Sequence, residues 1–171
     1  MTAVAILGAT GRMGRTLIEL VAAAEDLRLV AATVRAGSEW IGRDAGEIAG
    51  CGRLDVVLTD APDDAAAAAA VLVDFTWPYA LEANLAAATA AGTPIVIGTT
   101  GVNAAGEKAI QRASAEIPVV YAANYSSGIT LLRRLVQTAA AALGDDYDVE
   151  ITEAHHRYKR DAPSGTAWAL G

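Results

Sequence analysis

The chain has 171 residues, 53% of them hydrophobic and 19% charged, with a net charge of −7; this is enough to bury a real core and too apolar for a disordered segment. The acidic balance argues against general nucleic-acid binding, and the single Cys51 excludes an intramolecular disulfide and a CxxC zinc site, which favours a reducing, cytoplasmic setting. No apolar run is long enough to cross a membrane, and no leader is expected, since Met1 leads almost at once into a strand with no basic n-region and small-residue cleavage site.

Residues 3–7 form a short apolar run, followed by Gly8-Ala9-Thr10-Gly11-Arg12-Met13-Gly14 and then by Leu17, Ile18 and Val21 at helical spacing. In this strand–turn–helix setting the glycines have separate tasks. Gly8 permits the tight turn, Gly11 lets a pyrophosphate approach the backbone, and Gly14 lets the helix pack closely, with phosphate charge at the helix N-terminus. Dinucleotide binding is the expectation. A second strand spans Arg28 to Val34. Where an NAD enzyme places an acid against the ribose 2′-hydroxyl, this chain has Val34 and then Arg35, whose guanidinium suits a 2′-phosphate or stacks on adenine. The cofactor is therefore NADPH or NADH, with NADPH favoured.

Residues 37–52 are expected to form an ordered loop with little regular structure, residues 55–58 a short strand, and residues 65–70 a helix. Val71 to Phe75 predicts a buried strand, Tyr79 to Ala91 a helix, and Ile95 to Ile97 a strand running into Gly98-Thr99-Thr100-Gly101. A helix over Asn103 to Ala115 and a strand over Pro118 to Tyr121 follow. The alternation predicts an α/β fold, a Rossmann-like doubly wound parallel sheet over residues 1–126. Thr76 and the loop at 98–101 then lie beyond the carboxyl ends of their strands, bordering the cofactor. A helix from Ile129 to Leu143, capped by Gly144, leads to an extended segment from Asp148 to Ala154.

The stretch from Glu153 to Thr166 concentrates proton-transfer chemistry. It holds both histidines of the chain, His155 and His156, then Arg157, Lys159 and Arg160, and ends in Pro163-Ser164-Gly165-Thr166 opening a helix. On a strand, adjacent histidines point to opposite faces and should have different roles, whereas His155 and Lys159 share a side in strand or helix. Histidine exchanges a proton near neutrality, and a partly desolvated lysine among other cations becomes a usable donor. The amides of Ser164, Gly165 and Thr166 offer donors to a carboxylate or phosphate. A histidine metal site lacks a third ligand with sensible spacing. A short-chain dehydrogenase or epimerase is disfavoured because none of the five tyrosines has a lysine four residues on.

Taken together, the Gly8–Gly14 turn, Asp74-Phe75-Thr76, Gly98-Thr99-Thr100-Gly101, Ala122-Ala123-Asn124-Tyr125-Ser126 and the whole of Glu153 to Thr166 occur in one order. In these motifs the chain resembles the 4-hydroxy-tetrahydrodipicolinate reductase (dihydrodipicolinate reductase) family of lysine and diaminopimelate biosynthesis. The resemblance implies NAD(P)H-dependent reduction of a small cyclic unsaturated dicarboxylate. It implies His155 as proton donor and acceptor, Lys159 as proton donor, His156 as a substrate contact, and Gly165 with Thr166 as a carboxylate cradle. Gly8, Ala9, Thr10, Gly11, Arg12, Met13, Arg35, Gly98, Thr99, Thr100, Ala122, Ala123, Asn124 and Tyr125 would hold the cofactor. Members of the family continue past residue 171 through a mixed-sheet α+β substrate domain that supports a homotetramer, so residues 127–171 are expected to be its beginning. An NAD(P)-binding module without turnover is the alternative expectation.

Overall fold

The computed structural model describes residues 1–155, 157 and 163–170 of the chain. They fall into two compact units, Met1–Tyr121 and Ala122–Gly171; the boundary expected from the sequence was Ser126, which is the N-cap of the long helix of the second unit.

In the first unit, β1 (Thr2–Leu7) is the centre of the sheet. Its alternate residues enter different cores: Ala5 and Leu7 join Leu72, Leu81, Leu85, Ile95 and Ile97, whereas Val4 and Ile6 join Ile18, Val21, Leu29 and Leu58. A strand with period-two side chains and both faces apolar must be covered on both sides, which is why it reads as an unbroken hydrophobic run. The other strands are β2 (Leu27–Thr33), β3 (Leu58–Thr59), β4 (Val71–Asp74), β5 (Ile95–Ile97) and β6 (Val119–Tyr121). All pairings are parallel, and the order is β3-β2-β1-β4-β5-β6. The winding direction reverses between β1 and β4, and the carboxyl ends of strands at such a reversal open a crevice for a ligand.

The connections are α1 (Arg12–Ala23), α2 (Ala45–Ala49), α3 (Pro62–Ala68), α4 (Leu81–Ala91) and α5 (Ala104–Ser114). Two expectations are corrected here. Residues 37–52 are not wholly irregular, because Asp44 nucleates α2 by accepting the amides of Gly46 and Glu47 at 2.9 and 3.2 Å. The short strand expected over residues 55–58 is instead the two-residue β3, since only Leu58 and Thr59 find register partners in β2. Asp44 also accepts Leu54 N–H at 3.0 Å and Val56 N–H at 3.1 Å, so one buried carboxylate holds both the helix start and the segment entering β3. An aspartate was visible there in the sequence, but its four amide partners depend on the loop closing over it.

In the second unit, α6 (Ser127–Leu143) begins where Ser126 Oγ accepts Ile129 N–H at 3.4 Å and ends at Gly144, and α7 (Gly165–Leu170) packs against it. The extended stretch expected over Asp148 to Ala154 forms no strand: among the described residues this unit contains no other strand, and an alternating sequence without a ladder partner stays irregular. Leu131, Leu132 and Leu135 of α6 are correspondingly exposed. Among the described residues no helix is long and apolar enough to cross a membrane.

Burial acts most strongly on the Asp44 carboxyl and raises its pKa, but the four backbone donors together outweigh it and hold the group below its ordinary value of 3.8. A depressed carboxyl stabilises the fold fully above the unfolded value and loses that contribution as pH falls through the folded one. Asp44→Asn, which presents an amide N–H to one of the donors, is expected to destabilise by about 1–3 kcal/mol at neutral pH. In denaturant titrations that deficit should shrink as the pH is lowered below 3.8.

Candidate functional site

The glycine turn gains its shape from contacts that a side chain would block. Gly8 has φ +84°, and a Cβ there would also press against the Phe75 carbonyl and the Thr76 side chain, each at 3.1 Å. A Cβ on Gly14 would stand 2.2 Å from the Gly8 carbonyl oxygen. Glycine at 14 therefore lets α1 close directly onto the end of β1. The Gly8 and Ala9 amides donate to Thr33 O at 3.0 and 2.9 Å, and Gly11 N–H returns to Gly8 O at 3.0 Å. The helix ladder starts with Arg15 N–H to Gly11 O, and Gly11 offers no side-chain cap. The first-turn amides, at Arg12, Met13 and Gly14, accordingly face out of the helix end, as an anion requires. Ala9 is buried, Thr10 half-buried, and Arg12 and Met13 exposed. This turn fits a pyrophosphate-bearing cofactor, because its backbone comes to the surface without intervening side chains.

Beside the turn, β4 ends in a fully buried carboxylate. Asp74 Oδ1 accepts Thr76 N–H at 2.8 Å, Thr76 Oγ1 at 2.6 Å and Thr99 Oγ1 at 3.2 Å, while Oδ2 accepts Asn84 Nδ2 at 2.8 Å. One side chain thus ties together the loop after β4, helix α4 and the loop after β5. Thr99, expected at the cofactor, is only 2% exposed, and its hydroxyl is held by Asp74 and by Thr76 O at 3.2 Å. Thr100 is exposed. Gly98 donates its N–H to Asp74 O at 2.8 Å and lies so close to the Phe75 ring that a Cβ would come within 2.2 Å. Sequence reasoning named Thr76 and residues 98–101, quoted Asp74 in a motif without a role, and missed Asn84. The available signal was an aspartate ending an apolar strand, where a charge must have partners if it is buried.

The 2′-position of an adenosine ribose would meet the end of β2. Val34 is buried, with its N–H on Thr59 O at 2.8 Å, and Arg35 is exposed just beyond it. No carboxylate of the described residues forms an ion pair with Arg35.

In the second unit the residues foreseen for two different ligands are neighbours. Asn124 Nδ2 donates to Thr166 Oγ1 at 2.9 Å, Asn124 Oδ1 accepts Ser126 N–H at 2.6 Å, and a Cβ on Gly165 would meet the Ala123 Cβ at 3.2 Å. Ala122 is half-buried and Tyr125 exposed. Ser164 is 4% exposed and is held by Glu153: its N–H reaches Glu153 Oε1 at 2.8 Å, its hydroxyl donates to Oε2, and Ser164 Oγ accepts Ala167 N–H at 3.1 Å. The Ser164 amide, expected to serve an external anion, thus serves an internal one, leaving the Gly165 and Thr166 amides at the start of α7. Glu153 Oε2 also lies 3.7 Å from His155 Nδ1. Glu153 was quoted in the motif without a role, and only the fold shows that it links the imidazole to the cradle. His156 and Lys159 lie outside the described residues.

The sheet order, the reversal beside β1 and the uncapped glycine turn define a Rossmann-type dinucleotide-binding fold. The family model for dihydrodipicolinate reductase, N-terminus, matches residues 2–125, and that for dihydrodipicolinate reductase, C-terminus, matches residues 128–171. The chain belongs to the dihydrodipicolinate reductase family. It is 55% identical over 170 residues to the 4-hydroxy-tetrahydrodipicolinate reductase of Alkalilimnicola ehrlichii, covering 99% of this chain and 64% of that protein. It is 50% identical over 171 residues to the same-named protein of Pseudoalteromonas atlantica, again 64% of its length. Among solved structures, the dipicolinate-bound dihydrodipicolinate reductase of Paenisporosarcina sp. TG-14 matches with a TM-score of 0.72 at 27% identity, covering 99% of this chain and 64% of that one. The chain therefore spans 64% of the length of these relatives.

Asp74→Asn sets an amide N–H against the donors that the carboxylate now satisfies. It is expected to lower the unfolding free energy by about 1–3 kcal/mol, read as a shift in denaturant midpoint at unchanged slope.

Proposed function

We propose that this chain carries the cofactor-binding unit and the proton-transfer segment of a cytoplasmic 4-hydroxy-tetrahydrodipicolinate reductase, using NADPH in preference to NADH. The observation that carries the reading is the Glu153–His155–Ser164 arrangement at the entrance to α7, within the stretch that the C-terminal family model matches. The fit of the uncapped glycine turn to a pyrophosphate supports the cofactor assignment. The preference for NADPH rests on Val34 and on Arg35, which forms no ion pair among the described residues. Residues 1–126 are the dinucleotide-binding domain in this reading and residues 127–171 the start of the substrate domain, which the resemblance implies supports a homotetramer in full-length members of the family.

When bound, the reduced nicotinamide supplies the hydride. The protein's own tasks are to neutralise a doubly negative ring and to deliver a proton. The imidazole of His155, with Glu153 Oε2 at 3.7 Å from its Nδ1, exchanges the proton. The Gly165 and Thr166 amides take one substrate carboxylate, with the Thr166 hydroxyl held in place by Asn124. Lys159 donates a proton and His156 contacts the substrate, roles that rest on the family motif. The dicarboxylate named for the Paenisporosarcina structure, dipicolinate, has the charge and planarity that such a cradle suits.

His155→Gln should cut turnover by about 100-fold or more while changing NADPH affinity less than about twofold, measured by steady-state loss of reduced-nicotinamide absorbance beside direct binding; equal losses in both would remove the residue from proton transfer. Arg35→Ala should weaken NADPH by about tenfold and NADH hardly at all. An unchanged ratio of the two affinities would defeat the 2′-phosphate argument. Binding of cofactor with no reduction of freshly made cyclic substrate would favour the module without turnover.

A further inference from the structure

Beyond Arg35, the turn that follows β2 carries an aromatic and cationic cluster with no assigned role. Trp40 is half-buried and packs against the core cluster on the β2 side of the sheet. Two guanidiniums lie over its ring, those of Arg15 and Arg43, each with its central carbon 5.8 Å from the ring centroid. Arg15 comes from the first turns of α1, and its Nε–H donates to Thr10 O at 3.2 Å, so it lies back along the glycine turn. Arg43 is exposed, yet its backbone is fixed: Arg43 N–H donates to Trp40 O at 3.1 Å, and Leu58 N–H to Arg43 O at 2.9 Å. The segment begins at Arg35, whose carbonyl accepts Ser38 N–H at 3.2 Å, and Ser38 Oγ accepts Trp40 N–H at 3.3 Å. It ends at Asp44, anchored by four amides.

Among the described residues none of Arg15, Arg35 and Arg43 forms an ion pair with a carboxylate. Glu39 is the one acid between Arg35 and Arg43, and it is exposed. A chain of net charge −7 thus gathers three unpaired guanidiniums around the end of β2, on a stiffly held loop, at the place where the fold presents an adenosine ribose. A cation–π contact with an indole face draws a guanidinium toward the ring without using up its N–H donors. A phosphomonoester dianion uses such in-plane donors in pairs.

We infer that Trp40 is a platform that mounts Arg43 and Arg15 beside Arg35 as a clamp for the 2′-phosphate of the cofactor, making Arg43 and Trp40 specificity-determining residues. This rests on the dinucleotide reading given above and extends it to residues outside the glycine turn. The apolar Val34 removes the repulsion that an acid there would supply, and the clamp adds the attraction.

The test is calorimetric titration of the full chain with adenosine 2′,5′-bisphosphate and, separately, with AMP, which needs no turnover. The wild type is expected to bind the bisphosphate at least about tenfold more tightly than AMP. Arg43→Ala should narrow that ratio by about tenfold with unchanged thermal unfolding, since the side chain is exposed. Trp40→Ala should narrow it similarly, and Trp40→Phe, which keeps an aromatic face, should largely retain it. A ratio that Arg43→Ala and Trp40→Ala both leave unchanged, with both nucleotides still bound, overturns the clamp alone. Failure of the wild type to bind either nucleotide defeats the dinucleotide reading and the clamp with it.

Discussion

The first unit depends on a contact that is possible only where there is no side chain. With Gly14 set against the Gly8 carbonyl, α1 starts directly at the end of β1, and its unsatisfied amides emerge at the reversal of the sheet. Any Cβ at 14 would need the helix or the turn to move. The constraint is local, yet it decides where the chain can accept an anion. The rest of the sheet supports that place by burying β1 on both faces.

Two buried carboxylates then fix the walls. Asp74 holds the loops after β4 and β5, and Asp44 holds the loop that leads from β2 toward β3. In each case the charge is compensated by donors from its own turn together with donors 10 or more residues on, which ties the loops to the scaffold. Glu153 repeats the device in the second unit, joining His155 to the start of α7 through Ser164. Asp44 and Asp74 thus give the loops of the first unit their shape from buried positions.

The order of elements was legible because hydrophobic period and glycine placement are properties of neighbouring residues. Apart from β3, the other five strands of the sheet and each longer helix lie close to their expected places, from β1 to α6. The exceptions are short. The helix Ala45–Ala49 is nucleated by a carboxylate whose other partners, Leu54 and Val56, lie up to 12 residues on, and the two-residue β3 is defined only by its pairing with β2. The stretch from Asp148 to Ala154 alternates like a strand, but alternation expresses a capacity to pair, and no partner strand is present among the described residues of its unit.

The sequence by itself determined the fold class, the glycine turn, the vacancy of the acidic position at Val34 and the family to which the histidine motif belongs, because each is written in contiguous residues. Only the tertiary structure decided that the Thr99 hydroxyl turns inward to Asp74, that Ser164 answers to Glu153, and that Trp40 carries arginines from two different segments. The physical reason is common to all three. A hydrogen bond or a stacked cation depends on which atoms are brought within a few ångströms, and for residues far apart along the chain that is settled by packing.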